Sequence, residues 1–403
     1  MDERRIVVVG AGPAGLASAA ELGRRGLPVL VLEQADRVAS SWRGRYDRLR
    51  LNSSRPFSKL PGAGYRPARF RPGTGMFPTR DELVQYLEDY AEGNGIDVHA
   101  STRLERIDRD ADRWILRTSR GDVRADQVIV AAGYDHTPHV PDWPGRERFQ
   151  RPLVHAAAYR NPQPYQDADV LVVGPGCSGM EIAYELAVNG ARRVRLAVRT
   201  PPNILIRSPI GPLMALLMLK LPPAVGDAVT RFARRHEVGD LSEYGLPVPD
   251  EGIFSRLRRL KVAPAIVDME VIEAIKDRRI EIVSRVDSLD ETGVRLAGGD
   301  RIEPDAVIAA TGYRQGLEPV VGHLGLLDER GAPRVVRAEA APGLRFIGYS
   351  PRPAHMRYMG REARQAAKEI ARLEAVRTGR HGPSPARARV PRLMRGLRSG
   401  AEA

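Results

Sequence analysis

The chain contains the same strand, glycine-rich turn and helix twice, and this repeat constrains its fold more than any other feature. The first copy reads IVVVGAGPAGLASAAEL from Ile6 to Leu22, and the second reads LVVGPGCSGMEIAYEL from Leu171 to Leu186. An apolar strand, a turn with spaced glycines and an immediate helix are typical of dinucleotide-binding units. The sequence therefore predicts an α/β protein with two Rossmann-like dinucleotide-binding domains.

A second pair of segments repeats downstream of the two loops. The segment ADQVIVAAGYDHTP, from Ala125 to Pro138, matches PDAVIAATGYRQGL, from Pro304 to Leu317. Short β-like runs separated by turns precede each of them and predict a small antiparallel meander in each domain. Too little chain follows Gly312 for a third domain, so we expect the remaining residues to return to the first one.

The residue that closes the strand after each loop predicts which nucleotide the loop binds. Glu33 ends the strand PVLVLE after the first loop, whereas Arg199 and Thr200 end RVRLAVRT after the second. A carboxylate accepts hydrogen bonds from a ribose diol and repels a ribose phosphate, but a guanidinium pairs with that phosphate. The first loop is therefore predicted to bind FAD or NAD, and the second to bind NADP.

A chain with both sites has an obvious chemical use, which is a bound FAD reduced by NADPH. The residues predicted to bind FAD are Gly10, Gly12, Pro13, Ala14, Gly15, Glu33, Gln34, Trp42, Leu104, Ala132 and Gly133. The residues predicted to bind NADP are Gly174, Gly176, Cys177, Ser178, Gly179, Arg199, Thr200, Arg207, Thr311 and Gly312. No metal site is predicted.

These repeats predict nested domains, with the NADPH domain inserted into the FAD domain. The predicted FAD-binding domain comprises residues 1–140 and 314–376, and the predicted NADP-binding domain comprises residues 165–313. The other predicted segments are an inter-domain connection at 141–164, a variable covering segment at 201–250 and a basic flexible tail at 377–403.

The cysteine content excludes one class of flavoprotein. Cys177 is the single cysteine of the chain, which rules out a disulfide framework and fits a reducing, cytoplasmic location. Flavoprotein disulfide reductases share the two-domain plan but need a pair of thiols to pass electrons onward. That class is therefore excluded, and a reactive role for Cys177 is not expected.

The charge and the apolar stretches indicate whether the chain binds nucleic acid or a membrane. The formal net charge is +13, but the excess is mostly arginine and much of it lies in the tail, with no recognition motif. No nucleic-acid partner is therefore expected. The apolar stretch from Gly211 to Val225 is broken by Lys220 and a proline pair, so no transmembrane helix is expected. This stretch is predicted to cover a pocket, and the alternative of a surface that touches a membrane stays open, as does the oligomeric state.

Several blocks together resemble the flavin-containing monooxygenases, and most of all their YUCCA-type branch. The blocks include GPAGLASAAELGRRGLPVLVLEQADRVASSWR, YDRLRLN, FPTRDELVQYLEDYA, VLVVGPGCSGMEIAYEL and AVIAATGYR, and the similarity extends to about Val376. The resemblance implies an FAD-dependent, NADPH-consuming enzyme that inserts one atom of O2 into a small organic substrate through a flavin hydroperoxide. Nitrogen or sulfur oxygenation, ketone oxygenation and oxidative decarboxylation of an aryl 2-oxo acid all stay open.

The resemblance also assigns a fingerprint before the second loop. In FQRPLVHAAAY, the family pattern is matched by Phe149, His155 and Tyr159, but Arg151 stands where the family has glycine. This departure puts the local backbone path in question, since glycine there would permit a bend or a close approach. His155 is expected to be a packed, hydrogen-bonded histidine rather than a base.

Two polar residues are candidates for the reaction site. Asn52, in RLRLNSSRPF, matches a functionally important asparagine on the flavin side of the family, and a turn-capping role is the alternative. Arg207 could serve either a cofactor phosphate or a substrate carboxylate.

Two hypotheses compete with the monooxygenase. An NADPH oxidase, or another NADPH-dependent flavin oxidoreductase without substrate oxygenation, would share every binding motif. A flavin-bound redox sensor or binding protein would use the basic tail for partner contact.

Overall fold

The computed structural model describes residues 2–62, 75–260, 263–350 and 352–379. The described strands are β1 (Asp2–Val9), β2 (Leu30–Leu32), β3 (Val98–His99), β4 (Leu104–Asp110), β5 (Arg113–Thr118), β6 (Val123–Val130), β7 (Thr137–Pro138), β8 (Leu153–His155), β9 (Asp169–Val173), β10 (Arg193–Val198), β11 (Ile204–Ile206), β12 (Ala265–Val267), β13 (Glu281–Ser284), β14 (Val286–Leu289), β15 (Val294–Leu296), β16 (Arg301–Ile302), β17 (Ala306–Ala309), β18 (Tyr313–Arg314), β19 (Glu339–Ala341) and β20 (Leu344–Phe346). The described α-helices are α1 (Pro13–Gly23), α2 (Ser40–Arg43), α3 (Arg80–Gly93), α4 (Cys177–Val188), α5 (Gly211–Met218), α6 (Pro223–Glu237), α7 (Ile253–Leu260), α8 (Met269–Lys276), α9 (Glu318–Val321) and α10 (His355–Arg377).

The first sheet forms around the apolar run of β1. Its strands follow the order β19-β20-β6-β1-β2-β3, and β20, β6, β1, β2 and β3 run parallel. Side chains alternate across a strand, so Ile6 and Val8 pack into one core with α1 and α10, while Val7 and Val9 pack into another. Both faces of β1 are therefore buried, as an uninterrupted run of β-branched residues predicts.

The last part of the described chain adds to this same sheet. β20 pairs in parallel with β6, from Leu344 opposite Val128 to Phe346 opposite Val130. The long helix α10 then packs against α1. The return to the first sheet after Gly312 lies where the sequence predicts it, and residues 380–403 of the predicted tail lie outside the described residues.

The second sheet repeats the arrangement of the first. Its order is β13-β10-β9-β17-β8, and every pairing is parallel. β9 and β10 hold the places of β1 and β2, and β17 holds the place of β6. The edge strand β8 comes from the segment 141–164, which the sequence assigned to an inter-domain connection. The exact domain boundaries stay predictions.

Antiparallel meanders flank both sheets, as predicted. β4, β5 and β6 form the first meander, and β14, β15 and β16 form the second. Between the sheets the outgoing and returning chains lie side by side, because β7 pairs with β18 through Thr137 opposite Arg314 and Pro138 opposite Tyr313. The predicted fold class, with one Rossmann-like unit nested in another, is confirmed.

The covering segment is helical over much of its length. α5 and α6 follow β11, and α6 packs against α7 so closely that a methyl group on Gly226 would meet the Phe254 ring at 2.6 Å. The buried Asp227 carboxylate accepts hydrogen bonds from the Phe254 backbone N–H at 2.6 Å and from the Ser255 hydroxyl. Among the described residues, no helix is both long and apolar enough to cross a membrane.

Candidate active site

The first glycine loop brings the start of α1 against the end of β1. Gly10 has φ +99°, and a Cβ there would lie 2.6 Å from the Ala131 carbonyl oxygen. A Cβ on Gly15 would lie 1.8 Å from the Gly10 carbonyl oxygen, whereas one on Gly12 would meet nothing within 4 Å. Gly10 and Gly15 thus permit a close turn, and open space remains at Gly12, where α1 begins without a side-chain cap. Free N–H groups beside open space fit a pyrophosphate.

Glu33 lies immediately after β2 with its carboxylate held by the loop. One of its oxygens accepts from the Ala11 backbone N–H at 2.7 Å. The other accepts from the Ala35 backbone N–H at 3.0 Å and the Ser40 hydroxyl at 3.1 Å. The carboxylate is therefore fixed in position at the wall of the cavity, as recognition of a ribose diol requires.

A cavity of about 1080 Å³ begins at this loop and extends toward the second sheet. Nearly all of the predicted FAD contacts line it, and Asn52 does as well. The lining members are Gly10, Gly12, Pro13, Ala14, Glu33, Gln34, Trp42, Leu104, Ala132 and Gly133. Gly15 lies behind the loop instead, where its role is the close contact with Gly10. The residues present thus fit FAD, which would be held by this loop and by Glu33.

The second glycine loop has nearly the same geometry as the first. Gly174 has φ +114°, and a Cβ there would lie 2.5 Å from the Ala310 carbonyl oxygen. A Cβ on Gly179 would lie 1.9 Å from the Gly174 carbonyl oxygen, and one on Gly176 would meet nothing within 4 Å. α4 begins after Gly176 without a side-chain cap, so it offers the same free N–H groups as α1.

The remaining predicted NADP residues lie at the carboxyl ends of β10 and β17. Arg199 and Thr200 directly follow β10 and are exposed, and Arg199 has no ion pair within the described chain. Thr311 and Gly312 follow β17, and the Thr311 hydroxyl donates to the His139 carbonyl oxygen. These residues do not line the large cavity, so the arrangement leaves Arg199 free to meet a phosphate at the surface.

Asn52 is the point where the two units meet. Its Nδ2 donates to the Cys177 Sγ at 3.5 Å, and its Oδ1 accepts from the Arg207 Nη2 at 3.3 Å. The Ile266 backbone N–H also donates to the Cys177 Sγ, at 3.2 Å. Desolvation is the main cause of a raised pKa for the Cys177 thiol, so the sulfur stays protonated and unreactive at neutral pH.

Arg207 lies behind this point rather than in the cavity wall. Its side chain is 2% exposed, pairs with Glu181, and donates from Nη1 to the Asp268 carboxylate at 2.7 Å. Tyr46 donates its hydroxyl to the second Glu181 oxygen at 2.5 Å. Because two carboxylates already engage the guanidinium, Arg207 is not available to a cofactor phosphate or substrate carboxylate, the two roles that the sequence left open for it. It holds the Asn52 amide oxygen instead.

Comparison with known proteins agrees with this architecture. Residues 113–318 match the family described as flavin-binding monooxygenase-like, and residues 7–206 match the pyridine nucleotide-disulphide oxidoreductase family. Indole-3-pyruvate monooxygenase YUCCA1 of Oryza sativa subsp. japonica is 35% identical over 320 residues, which are 77% of each chain. The chain belongs to the flavin-binding monooxygenase-like family. Its YUCCA-like character is also shown by probable indole-3-pyruvate monooxygenase YUCCA3 of Arabidopsis thaliana, 32% identical over 81% of this chain and 77% of that one.

Solved structures agree on the fold. The flavin-containing monooxygenase from Stenotrophomonas maltophilia superposes with a TM-score of 0.70 at 24% identity, covering 93% of this chain and all of that one. A steroid monooxygenase bound to NADP gives a TM-score of 0.72 at 21% identity, covering 93% of this chain and 86% of that one. Family membership makes this chain an NADPH-dependent flavoprotein monooxygenase whose cofactors are FAD and NADPH, with O2 and a small molecule as substrates.

The fingerprint histidine of the monooxygenase is packed, as predicted. His155 is 8% exposed, its Nδ1 accepts from the Ala157 backbone N–H at 3.0 Å, and its Nε2 donates to the Gly312 carbonyl oxygen at 2.9 Å. This pattern requires the neutral Nε2–H tautomer. Desolvation also lowers the pKa of the ring, which favours the neutral form. Arg151 is exposed and does not adopt a positive φ, so arginine is accommodated there without the bend that a glycine would allow.

Several residues of the monooxygenase cavity escaped the sequence analysis. Arg45 lines the cavity half-buried, donates from Nη1 to the Tyr313 hydroxyl, and places its guanidinium carbon 4.6 Å from that ring's centroid. His355, at the start of α10, also lines the cavity, and desolvation lowers its pKa to about 4. The charged Glu181 within the apolar run GMEIAYEL was a usable signal of a buried polar network, whereas nothing local marked Arg45.

Adding a methyl group at Gly12 and at Gly15 should separate cofactor binding from folding. Gly12→Ala fills open space at the start of α1, so the protein should fold normally but bind FAD about tenfold more weakly or worse, a loss of about 1.4 kcal/mol. Gly15→Ala should instead lower the melting temperature, because its methyl group collides with the Gly10 carbonyl. Gly23→Ala on the same helix is the control, since it has open space and no predicted FAD contact. Normal FAD content in Gly12→Ala would contradict the pyrophosphate assignment.

Reversing the charge at Arg199 should change the nicotinamide preference. Arg199→Glu removes a charge-assisted contact of about 2 kcal/mol and adds repulsion, so the KM for NADPH should rise roughly 100-fold while the KM for NADH changes little. Steady-state oxidation of the two nucleotides measures the ratio, and Arg295→Glu, at an exposed arginine of β15 that likewise has no ion pair within the described chain, is the matched control. Equal losses with both nucleotides would rule out the phosphate contact.

His155 should make the protein less stable in acid. Its folded-state pKa lies below the unfolded value of about 6.5. As the pH falls below that value, the native state therefore binds fewer protons than the unfolded state does. Stability is therefore fully present above about pH 6.5 and lost below it, toward the folded pKa. His155→Gln keeps an uncharged donor and acceptor, so its melting temperature should fall less between pH 7.5 and 5.5. The exposed His236→Gln is the control, and an identical decline in wild type and His155→Gln would refute this role.

Proposed function

We propose that this monooxygenase oxidises an aryl 2-oxo acid and releases its carboxylate as CO2. The observation that carries the proposal is Arg45, a half-buried cation in the cavity wall for which the described chain supplies no ion-pair partner. Its contact to Tyr313 leaves other guanidinium N–H groups free to donate to a ligand. A substrate carboxylate fits this position, while a cationic amine would be repelled.

The walls around Arg45 support an aromatic, partly apolar substrate. Apolar side chains of the second unit line the cavity together with Asn52, among them Leu205, Ile206, Pro212 and Ala215. Such a surface favours burial of a planar ring, because apolar contact area is removed from water. Relatives at 31–35% identity are named as indole-3-pyruvate monooxygenases or as probable ones, and indole-3-pyruvate is an aryl 2-oxo acid.

The proposed reaction balances with the established cofactors. One 2-oxo acid, O2, NADPH and a proton give the acid shortened by one carbon, CO2, water and NADP⁺. Bound FAD would supply the hydride acceptor and the site at which O2 is activated. The chain's own part is to hold the carboxylate with Arg45, to orient the Asn52 amide through Arg207, and to keep water away with the apolar walls.

The proposal is tested by the products formed under ¹⁸O2. The FAD-loaded enzyme with NADPH would be given indole-3-pyruvate and phenylpyruvate, and in parallel a sulfide, a cyclic ketone and a tertiary amine. With excess catalase present to remove free hydrogen peroxide, which decarboxylates 2-oxo acids on its own, incorporation of one ¹⁸O into the shortened acid, matched by CO2 release and NADPH consumption, supports enzymatic decarboxylation. Faster oxygenation of a neutral substrate would favour sulfur or ketone oxygenation, and NADPH consumption with no oxygenated product would favour an oxidase. A cytoplasmic location and the lack of a nucleic-acid partner remain predictions.

Removing the charge of Arg45 should selectively weaken the binding of 2-oxo acid substrates. Arg45→Met loses a charge-assisted hydrogen bond of about 1.5–3 kcal/mol, so the KM for phenylpyruvate should rise roughly 10- to 100-fold. Turnover of any neutral substrate found in the screen should change little, and FAD content should stay normal. Arg148→Met, an exposed arginine outside the cavity, serves as the matched control. An unchanged KM for phenylpyruvate would remove Arg45 from substrate binding.

A further inference from the structure

The α5–α6 hairpin, residues 210–237, exposes an unusual amount of apolar surface. α5 is eight residues long, and Gly211, Pro212 and Ala215 on one face line the cavity. At 100° per residue, Leu213, Met214 and Leu217 fall on the opposite face, where they are 42–46% exposed. One short helix thus forms the cavity wall with one face and presents an apolar face to solvent with the other.

α6 continues this surface. Val225, Val229 and Phe232 follow each other at spacings of four and three residues and therefore form one stripe, in which Phe232 is 67% exposed. Ile210, Leu219 and Leu221 at the ends of α5 are exposed as well. Scattered exposed apolar residues need no explanation, but nine of them within residues 210–232, on two helices that contact each other, mark an interaction surface.

The charges around the stripe indicate which partner fits. Lys220, Arg231 and Arg235 are exposed beside it. Between residues 210 and 237 there are two acidic residues: Asp227, which is buried and hydrogen-bonded to the start of α7, and Glu237, which is exposed at the end of α6. The hairpin therefore presents apolar side chains and an excess of positive charge, with three exposed basic residues beside the stripe against one exposed carboxylate, which complements an anionic lipid surface.

A second copy of this chain fits the same surface poorly. In a two-fold dimer the same patch meets itself, so the basic residues of both copies would be brought together. Since the hairpin exposes one carboxylate, Glu237, against these three basic residues, like charges would outnumber opposite ones and would repel.

We infer that the α5–α6 hairpin docks this enzyme on an anionic bilayer, with Leu213, Leu217 and Phe232 entering the interface and Lys220, Arg231 and Arg235 contacting lipid headgroups. This docking is independent of the proposed substrate. It places the α5 wall of the cavity beside the membrane, and it requires no spanning segment.

Flotation of the full-length, FAD-loaded enzyme with vesicles tests the inference. The vesicles would be phosphatidylcholine alone, or a 7:3 mixture of phosphatidylcholine and phosphatidylglycerol. We expect binding to the mixed vesicles that weakens in high salt, and at least a roughly tenfold loss in two variants. One variant combines Leu213→Ser with Leu217→Ser, and the other combines Lys220→Gln, Arg231→Gln and Arg235→Gln.

Matched controls keep the test specific. Leu373→Ser changes an exposed apolar residue of α10, and the triple change of Arg106, Arg117 and Arg120 to Gln removes three exposed charges from the first meander, none of which lines the cavity. Both should bind like wild type, and every variant should retain FAD and NADPH turnover. All these proteins share the same basic tail, so a tail effect would appear equally in each.

Two sets of results would overturn the inference. The first is failure of the wild type to float with the mixed vesicles, or flotation that both hairpin variants retain. The second is light scattering that gives a dimer for wild type and a monomer for the hairpin variants, which would identify the patch as an interface between copies of this chain.

Discussion

Both nucleotide sites depend on a backbone contact between a helix and the turn that precedes it. At Gly15 and at Gly179 an added Cβ would lie 1.8 Å and 1.9 Å from the carbonyl oxygen of Gly10 and Gly174. Only glycine allows this approach, which brings the first turn of each helix to the carboxyl end of a buried strand. The free N–H groups of the helix start then face open space. The two units therefore offer phosphate groups the same site, the free N–H groups at a helix start, and they differ in the residue that follows the next strand.

The relation between the two units rests on side chains rather than on the loops. Arginine has donors and no acceptor, so Arg207 can meet the Asn52 amide only at its oxygen. This fixes the direction of the amide and leaves its N–H groups facing Cys177 and the cavity. Glu181 and Asp268 in turn hold Arg207, which compensates for burying its charge. A residue that sequence suggested for direct ligand contact thus acts by positioning a neighbour.

The features that could be predicted from sequence are those encoded locally. Glycine spacing, the acid or base at a strand end and the repeated meanders each lie within a few dozen residues, and they gave the fold class and the cavity-lining loop. Arg45, by contrast, owes its position to Tyr313, 268 residues away. Arg207 is buried by contacts from α4 and from the start of α8, which no local pattern reveals. The glycine expected at Arg151 was dispensable because the position is exposed and has no positive φ.

The surroundings of Arg45 explain why a carboxylate ligand would be bound strongly there. A guanidinium that is partly removed from water loses hydration, and the Tyr313 ring and hydroxyl replace only part of it. Asp135 lines the same cavity, and desolvation raises the pKa of its carboxyl while the Arg45 charge lowers it, but the two side chains form no ion pair within the described residues. The Arg45 guanidinium therefore keeps N–H groups that no carboxylate of the described chain engages. An incoming carboxylate restores the missing interactions, and it does so beside Tyr313, where β18 brings the chain back to the first sheet.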